Sequence, residues 1–114
     1  MKKFLLSIGL VVLMTGCVGK ADSYYSWINF GFIESYELPD SVAAVEGYDI
    51  KASIRVLYDL TGLDSAKQED RLWILKKKYH NECADIEIVN EIFVPPRTQA
   101  LDENGIYKMD VKCL

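Results

Sequence analysis

Few side chains in this sequence are able to do chemistry: three cysteines, Cys17, Cys83 and Cys113, and a single histidine, His80. A thiolate acts as a nucleophile, binds a metal or forms a disulfide, and an imidazole acts as an acid or a base. The spacing His80-x-x-Cys83 fits part of a zinc site. Apart from Cys17, however, only one further thiol and no second histidine are present, which is too few ligands for a closed site. No metal site is therefore expected.

Catalysis is not expected either, because the chain has no Gly-rich phosphate loop, nucleophile elbow or paired metal-ligand motif. The candidate acid–base group is His80 with Glu82 and Asp85, at the end of a predicted helix. We favour a simpler interpretation, in which the histidine complements the helix dipole and the acids lie on the solvated face of a strand. The sequence therefore predicts a protein that is not an enzyme.

The surroundings of Cys17 are typical of export. Residues 1–16 contain Lys2 and Lys3, no acidic residue, and an apolar stretch over residues 4–14. This stretch is shorter than the roughly 20 apolar residues of a spanning helix, which argues against a free cysteine at the end of a membrane segment. It fits a signal peptide instead. The run LMTGC that ends at Cys17 resembles the lipobox of bacterial lipoprotein precursors.

That resemblance implies a covalent lipid and a location. Apart from the lipid, no cofactor is expected. In the family the thiol of the lipobox cysteine receives a diacylglyceryl group, the signal peptide is removed before it, and the new amine is acylated. Val18 follows here instead of Asp, which implies the outer membrane, facing the periplasm, in preference to the inner membrane. We expect a signal peptide over 1–16, a lipidated tether over 17–23 and one periplasmic domain over 24–114.

Two arguments predict a disulfide between Cys83 and Cys113. The first is that exported proteins reach an oxidising compartment, where a pair of cysteines usually forms a disulfide. The second is topology, because the last two predicted strands form an antiparallel hairpin in which the start of one lies beside the end of the other. In the chain-entropy model, closing a loop of about 30 residues stabilises the fold by roughly 3–4 kcal/mol.

The charge of the mature chain argues against nucleic acid as a partner. Without Lys2 and Lys3, 11 basic residues remain against 17 acidic ones, a net charge of −6, whereas phosphate binding needs a basic patch. The one basic cluster, Lys76 to Lys78, is interpreted as a solvated helix face.

Hydrophobic periodicity predicts an α+β fold: a small, mostly antiparallel sheet with one main amphipathic helix packed on it, after the signal helix. Residues 24–36 fit either a strand or a helix. The further predicted elements are a short helix over 42–46 stopped by Gly47, a strand over 48–60, a helix over 65–79 opened by a Ser65-x-x-Gln68 capping box, and strands over 85–94 and 107–113. On the long helix, the predicted inward positions are Leu72, Leu75 and Tyr79, with Trp73 or Ile74 at the margin and Arg71 facing outward. The predicted core-facing positions of the strands are Ile86, Ile88, Ile92 and Val94 of the third strand and Tyr107, Met109, Val111 and Cys113 of the last.

Two classes of function fit these features. The first is a non-enzymatic accessory or binding subunit, which is anchored to the membrane by its lipid and binds a protein of the cell envelope. The alternative is a periplasmic immunity, inhibitor or exclusion protein that blocks a toxin, a hydrolase or an entry step of a phage or plasmid. Candidate contact regions are the aromatic segment 24–36, most of which we expect in the core, and the loop 95–105.

Overall fold

A computed structural model describes residues 19–58, 62–96 and 104–114, and these residues confirm the predicted α+β class with an antiparallel sheet. Residues 19–29 form the helical segment α1. The later elements are β1 (Ile33–Glu37), α2 (Asp40–Glu46), β2 (Ile50–Arg55), α3 (Gln68–Lys78), β3 (Ile86–Val94) and β4 (Ile106–Cys113). The expected signal peptide over 1–16 and Cys17 lie outside the described residues.

The four strands form one sheet in the order β1-β2-β4-β3, and all neighbours are antiparallel. Alternate residues of each strand point to the same side of the sheet. One side carries Ile33, Ile50, Ala52, Ile54, Met109, Val111 and Ile86, which are buried with residues of α1 and α3 in a single hydrophobic core. We call this side the covered face and the opposite side the open face.

The strand predicted over residues 48–60 is shorter in the structure, because β2 ends at Arg55. Just beyond this end, the backbone bonds to the fully buried hydroxyl of Ser65. The hydroxyl donates to the carbonyl oxygen of Arg55 and accepts from the amide of Leu57, both at 2.7 Å. The capping box predicted at Ser65 is therefore wrong. The N-cap of α3 is Lys67, and no side-chain hydrogen bond caps it.

A β-bulge in β3 changes which side chains reach the core. The register with β4 shifts between Ile88 and Asn90. Because a bulge inserts one extra residue, it inverts the alternation of the residues that follow. Glu91 consequently lies opposite Met109 on the covered face, and Ile92 is 61% exposed on the open face. The prediction that Ile92 and Val94 face the core is wrong for this reason.

The aromatic segment 24–36 is both helix and strand. Its first part belongs to α1, which places Tyr24 and Trp27 in the core, and its last part is β1. The expected tether over 17–23 also needs correction where it is described, since residues 19–23 are helical. Ser23 is 2% exposed, and its hydroxyl donates to the carbonyl oxygen of Gly19 at 3.1 Å.

Helix α3 packs on β3 and runs beside α1. Ile74 and Leu75 are fully buried and Tyr79 nearly so, whereas Leu72 is half-buried at the edge of the core. The inward stripe is thus close to the predicted one. Arg71 is the exception, because it was expected to face solvent and is only 3% exposed.

Candidate binding face

The two cysteines of the expected disulfide meet at the end of the sheet where β3 begins and β4 ends. The sulfur atoms of Cys83 and Cys113 are 2.04 Å apart and their Cα atoms 5.3 Å apart. The register places Ile86 opposite Cys113, and a turn after α3 brings Cys83 within reach. The pairing predicted from topology is confirmed at the level of this geometry.

The polar groups around His80 are engaged locally. Nδ1 of His80 lies 2.9 Å from the carbonyl oxygen of Lys77, one turn earlier in the chain. The Asp85 carboxylate accepts from the amide of Ile86 at 2.8 Å and pairs with Lys76 at 3.3 Å. That backbone hydrogen bond, followed by Lys76, lowers the pKa of Asp85 below its usual value. Both His80 and Asp85 line a depression of about 160 Å³, and Glu82 does not line it.

The described residues include no group of three or more His, Cys, Asp or Glu side chains placed to hold a metal ion. None of the helices among the described residues has the length and apolar character needed to cross a bilayer.

Arg71 is the centre of a buried polar cluster that the sequence did not reveal. Its Nε donates to Glu91 at 3.1 Å, and its Nη2 bonds the second oxygen of the same carboxylate. Its Nη1 donates to the carbonyl oxygen of Ser65 at 2.8 Å, and the guanidinium lies 3.6 Å from the ring centre of Tyr107. The bulge turns Glu91 inward and so supplies the counter-charge. Through these contacts Arg71 connects α3 to β3 and β4, and we assign the cluster a structural role.

The lysines at the end of α3 are not the uniformly solvated face that we predicted. Lys77 lies 5.5 Å from the ring centres of both Tyr24 and Tyr25, where its charge can interact with their π-electrons. Lys78 is half-buried and its Nζ donates to the hydroxyl of Ser35. Burial lowers the pKa of Lys78, and the charge of Glu34 opposes that shift. Lys76 alone is exposed.

The open face carries a row of polar side chains that crosses all four strands. Tyr36 lies opposite Lys51, Lys51 opposite Asp110, and Asp110 opposite Asn90. Lys51 approaches Asp110 at 3.9 Å, and the Asn90 amide donates to the same carboxylate at 3.3 Å. A hydrogen bond with Tyr48, followed by the charge of Asp110, raises the pKa of Lys51. The row therefore presents hydrogen-bond donors and acceptors to solvent, joined to one another only by a loose ion pair and a long hydrogen bond.

This row lies in a depression of about 460 Å³ in the open face. Two large side chains that also line it stand well out of the surface: Tyr36 on β1 is 59% exposed and Ile92 on β3 is 61% exposed. The other facing side chains in its lining are Glu34, Lys51, Ser53, Asn90, Lys108 and Asp110. Within the described chain, this is the combination of apolar contacts and oriented hydrogen-bonding groups best suited to holding a partner.

Sequence reasoning missed this face because it placed Ile92 in the core. A signal for the bulge was present in Asn90, a polar residue at a position where continued alternation requires an apolar one. Of the loop 95–105, residues 97–103 lie outside the described residues. Comparison of the chain with family models, curated proteins and solved structures finds no match.

Proposed function

We propose that this protein is a lipoprotein of the bacterial cell envelope, acylated at Cys17, that binds a protein partner through the open face of its sheet and performs no catalysis. Acylation is supported by the resemblance of residues 13–17 to a lipobox, together with the basic start and short apolar stretch before it. Two or more acyl chains suffice for stable anchoring, whereas one chain binds a membrane only marginally.

The observation that carries the binding role is the exposure of Tyr36, which ends the polar row on β1, and of Ile92, which lies just beyond its other end on β3. Non-obligate interfaces combine aromatic and aliphatic contacts with about one hydrogen bond per 100–200 Å², and the open face offers both kinds of contact. The groups around His80 and Arg71 make their contacts within the fold, which favours binding over catalysis.

The proposed location is the outer membrane, on its periplasmic side. Val18, rather than an aspartate, follows the lipidated position in the sequence. A cysteine pair at disulfide distance suits the oxidising periplasm, where such bonds persist.

Acylation is tested with Cys17→Ser. We expect this variant to accumulate as a longer precursor without lipid, whereas the wild type is shortened before Cys17 and enters the detergent phase. Intact mass measurement of both proteins decides the question. A Cys17→Ser protein that is processed and extracted like the wild type would refute the lipobox interpretation.

The binding role is tested by affinity capture from detergent-solubilised envelopes. The double variant Tyr36→Ala/Ile92→Ala should retain about tenfold less of its partner than the wild type, because a few large side chains carry most of the affinity of an interface. Val45→Ala is the matched control, since Val45 is 84% exposed on α2 and does not line the depression. Equal capture by the double variant and the wild type would contradict binding through the open face.

A secreted form without the lipid adds a second comparison. If the secreted form binds the partner as well as the acylated protein does, the result favours the alternative function, a periplasmic immunity, inhibitor or exclusion protein. Loss of the partner with the lipid favours an accessory subunit of a membrane complex.

A further inference from the structure

We propose that the acylated protein does not hang from a tether but rests on the membrane, with the surface around the start of α1 in contact with the lipid headgroups. This surface consists of Lys20, Tyr58 and Lys67 with the backbone of residues 62–64, and we call it the anchor-proximal surface. The inference deepens the proposed function, on which it rests through the acylation of Cys17.

The first step is the covalent reach of the chain. Gly19 is the first residue of the described helix and lies two residues after Cys17. Two residues span at most about 7 Å even when fully extended. The tether expected from the sequence, six residues over 18–23, would have allowed about 20 Å. Helix formation from residue 19 onward removes most of that freedom.

The second step is that the start of α1 is fixed to the rest of the fold. Lys20 pairs with Asp70 of α3 at 3.4 Å, and the same Asp70 accepts from the amide of Asp64 at 2.9 Å. A Cβ atom added to Gly62 would lie 2.6 Å from the carbonyl oxygen of Gly19. Only a glycine permits this close approach of the two segments. The acylated end of the chain thus joins a rigid part of the domain.

The third step is the chemistry of the side chains near that point. Tyr58 is 67% exposed, and its backbone forms a β-bridge with Asp64, whose amide donates to the Asp70 carboxylate that pairs with Lys20 of α1. Tyrosine is favoured at the level of the lipid headgroups. Lys67, exposed at the N-cap of α3, can reach lipid phosphates. Lys20 stays paired with Asp70, although its side chain is 48% exposed.

The charge of this surface is mixed. Exposed Glu69 lies two residues after Lys67, so the surface has no strong net charge. The short connection to the lipid, rather than attraction to anionic lipid, is what holds it on the membrane. The contact should therefore persist at high salt, unlike one made by a polybasic segment.

The experiment uses the full acylated protein in vesicles of phosphatidylethanolamine and phosphatidylglycerol that contain a headgroup nitroxide lipid as quencher. A fluorophore is attached to Lys67→Cys or, as the matched control, to Val45→Cys. Both positions are exposed. Helix α2, which carries Val45, joins the end of β1 to the start of β2, whereas Lys67 follows the other end of β2, at Arg55. We expect quenching at residue 67 to be several times that at residue 45, with little change at high salt.

A second variant of each labelled protein carries ten Gly and Ser residues inserted between Val18 and Gly19. The insertion should lower the quenching at residue 67 to the level at residue 45, because a longer flexible chain frees the domain. Equal quenching at the two sites in the protein with the native junction would overturn the proposal. Intact mass measurement of the same samples separates this result from the absence of acylation, which would refute the proposed function as well.

Discussion

The two faces of the sheet are built from the same four strands but have different surroundings. On the covered face, Ile50, Ile54 and Val111 are at most 1% exposed and pack with α1 and α3. On the open face, their strand neighbours Lys51 and Asp110 form a loose ion pair in contact with solvent. The side chains of the covered face are buried against the two helices. The open face carries polar groups that contact solvent and two large exposed side chains, Tyr36 and Ile92, that take no part in the core. We therefore expect mutations on the covered face to change stability and mutations on the open face to change binding.

The largest expected effect is that of Arg71→Ala on the covered face. Removal of the guanidinium leaves Glu91 partly buried without its counter-charge, and breaking one partner of such a pair typically costs about 3–5 kcal/mol. We expect the free energy of unfolding to fall by about that amount in urea titrations. The double variant Arg71→Met/Glu91→Leu should recover most of the loss, since it removes both charges and keeps apolar volume. A loss below 1 kcal/mol for Arg71→Ala would show that the cluster is solvated.

The disulfide should contribute the next largest share. In the variant Cys83→Ala/Cys113→Ala, the unfolded chain gains the entropy of an open loop of about 30 residues, which corresponds to roughly 3–4 kcal/mol. Thermal unfolding of the wild type with and without reductant measures the stabilisation by the disulfide without any mutation. If thiol labelling finds both cysteines free in protein isolated from the envelope, the predicted bond does not form there.

Neighbouring residues on the two faces give the most direct comparison of stability. Ile54→Ala deletes a fully buried side chain and should cost about 3 kcal/mol. Lys51→Ala removes an exposed ion pair with Asp110 and should leave the free energy of unfolding almost unchanged. Both values come from urea titrations under identical conditions. Similar losses for the two variants would mean that the open face also contributes to the core.

The smallest expected effect is on the alkaline side of the stability profile. Burial raises the pKa of Tyr24 and Tyr79 above the usual value of 10.0. The folded state therefore holds these phenolic protons more tightly than the unfolded state, and their contribution to stability is lost as the pH rises through about 10 and above. Lys78, whose pKa burial lowers below its usual value of 10.5, acts in the opposite direction as the pH rises towards that value.

Tyr79→Phe separates the two contributions, because it removes one phenol and keeps Lys78. Its free energy of unfolding should fall less steeply above pH 10 than that of the wild type. Phenolate absorbance provides a second measurement, in which Tyr24 and Tyr79 should titrate above the usual value because burial raises the pKa of both. An unchanged slope in Tyr79→Phe would contradict the effect of burial.

Local patterns in the sequence predicted the covered face well. The alternation around Ile50 to Ile54 and around Met109 to Val111 identified two strands and their buried sides, and the spacing of Leu75 and Tyr79 identified the packed side of α3. These features depend on residues close together in the chain. The pairing of Cys83 with Cys113 also followed, because a hairpin brings its two outer ends together.

The features that were missed depend on distant residues. The apolar positions Ile86, Ile88, Ile92 and Val94 keep period two in the sequence, and only pairing with β4 shows where the bulge inverts their sides. Arg71 is buried because Glu91, Ser65 and Tyr107 converge on it from three other segments. The open face, as a candidate binding surface, could not be identified before the side of Ile92 was known.

The first turn of α1 was missed for a similar reason. Residues 18–23 look like a polar linker when read alone. The start of the helix is held by two contacts with later parts of the chain. Lys20 pairs with Asp70, 50 positions further on, and Gly19 lies against Gly62, 43 positions further on. A local pattern carries no information about such contacts.

Photo-crosslinking in living cells tests the central claim, that the open face binds a partner, most directly. A benzophenone amino acid is introduced in place of Tyr36, of Ile92 or, as the control, of Val45, and crosslinked products are identified by mass spectrometry. We expect positions 36 and 92 to capture the same protein and position 45 not to capture it. Capture of a partner from position 45 alone would contradict it and would move the binding surface to α2.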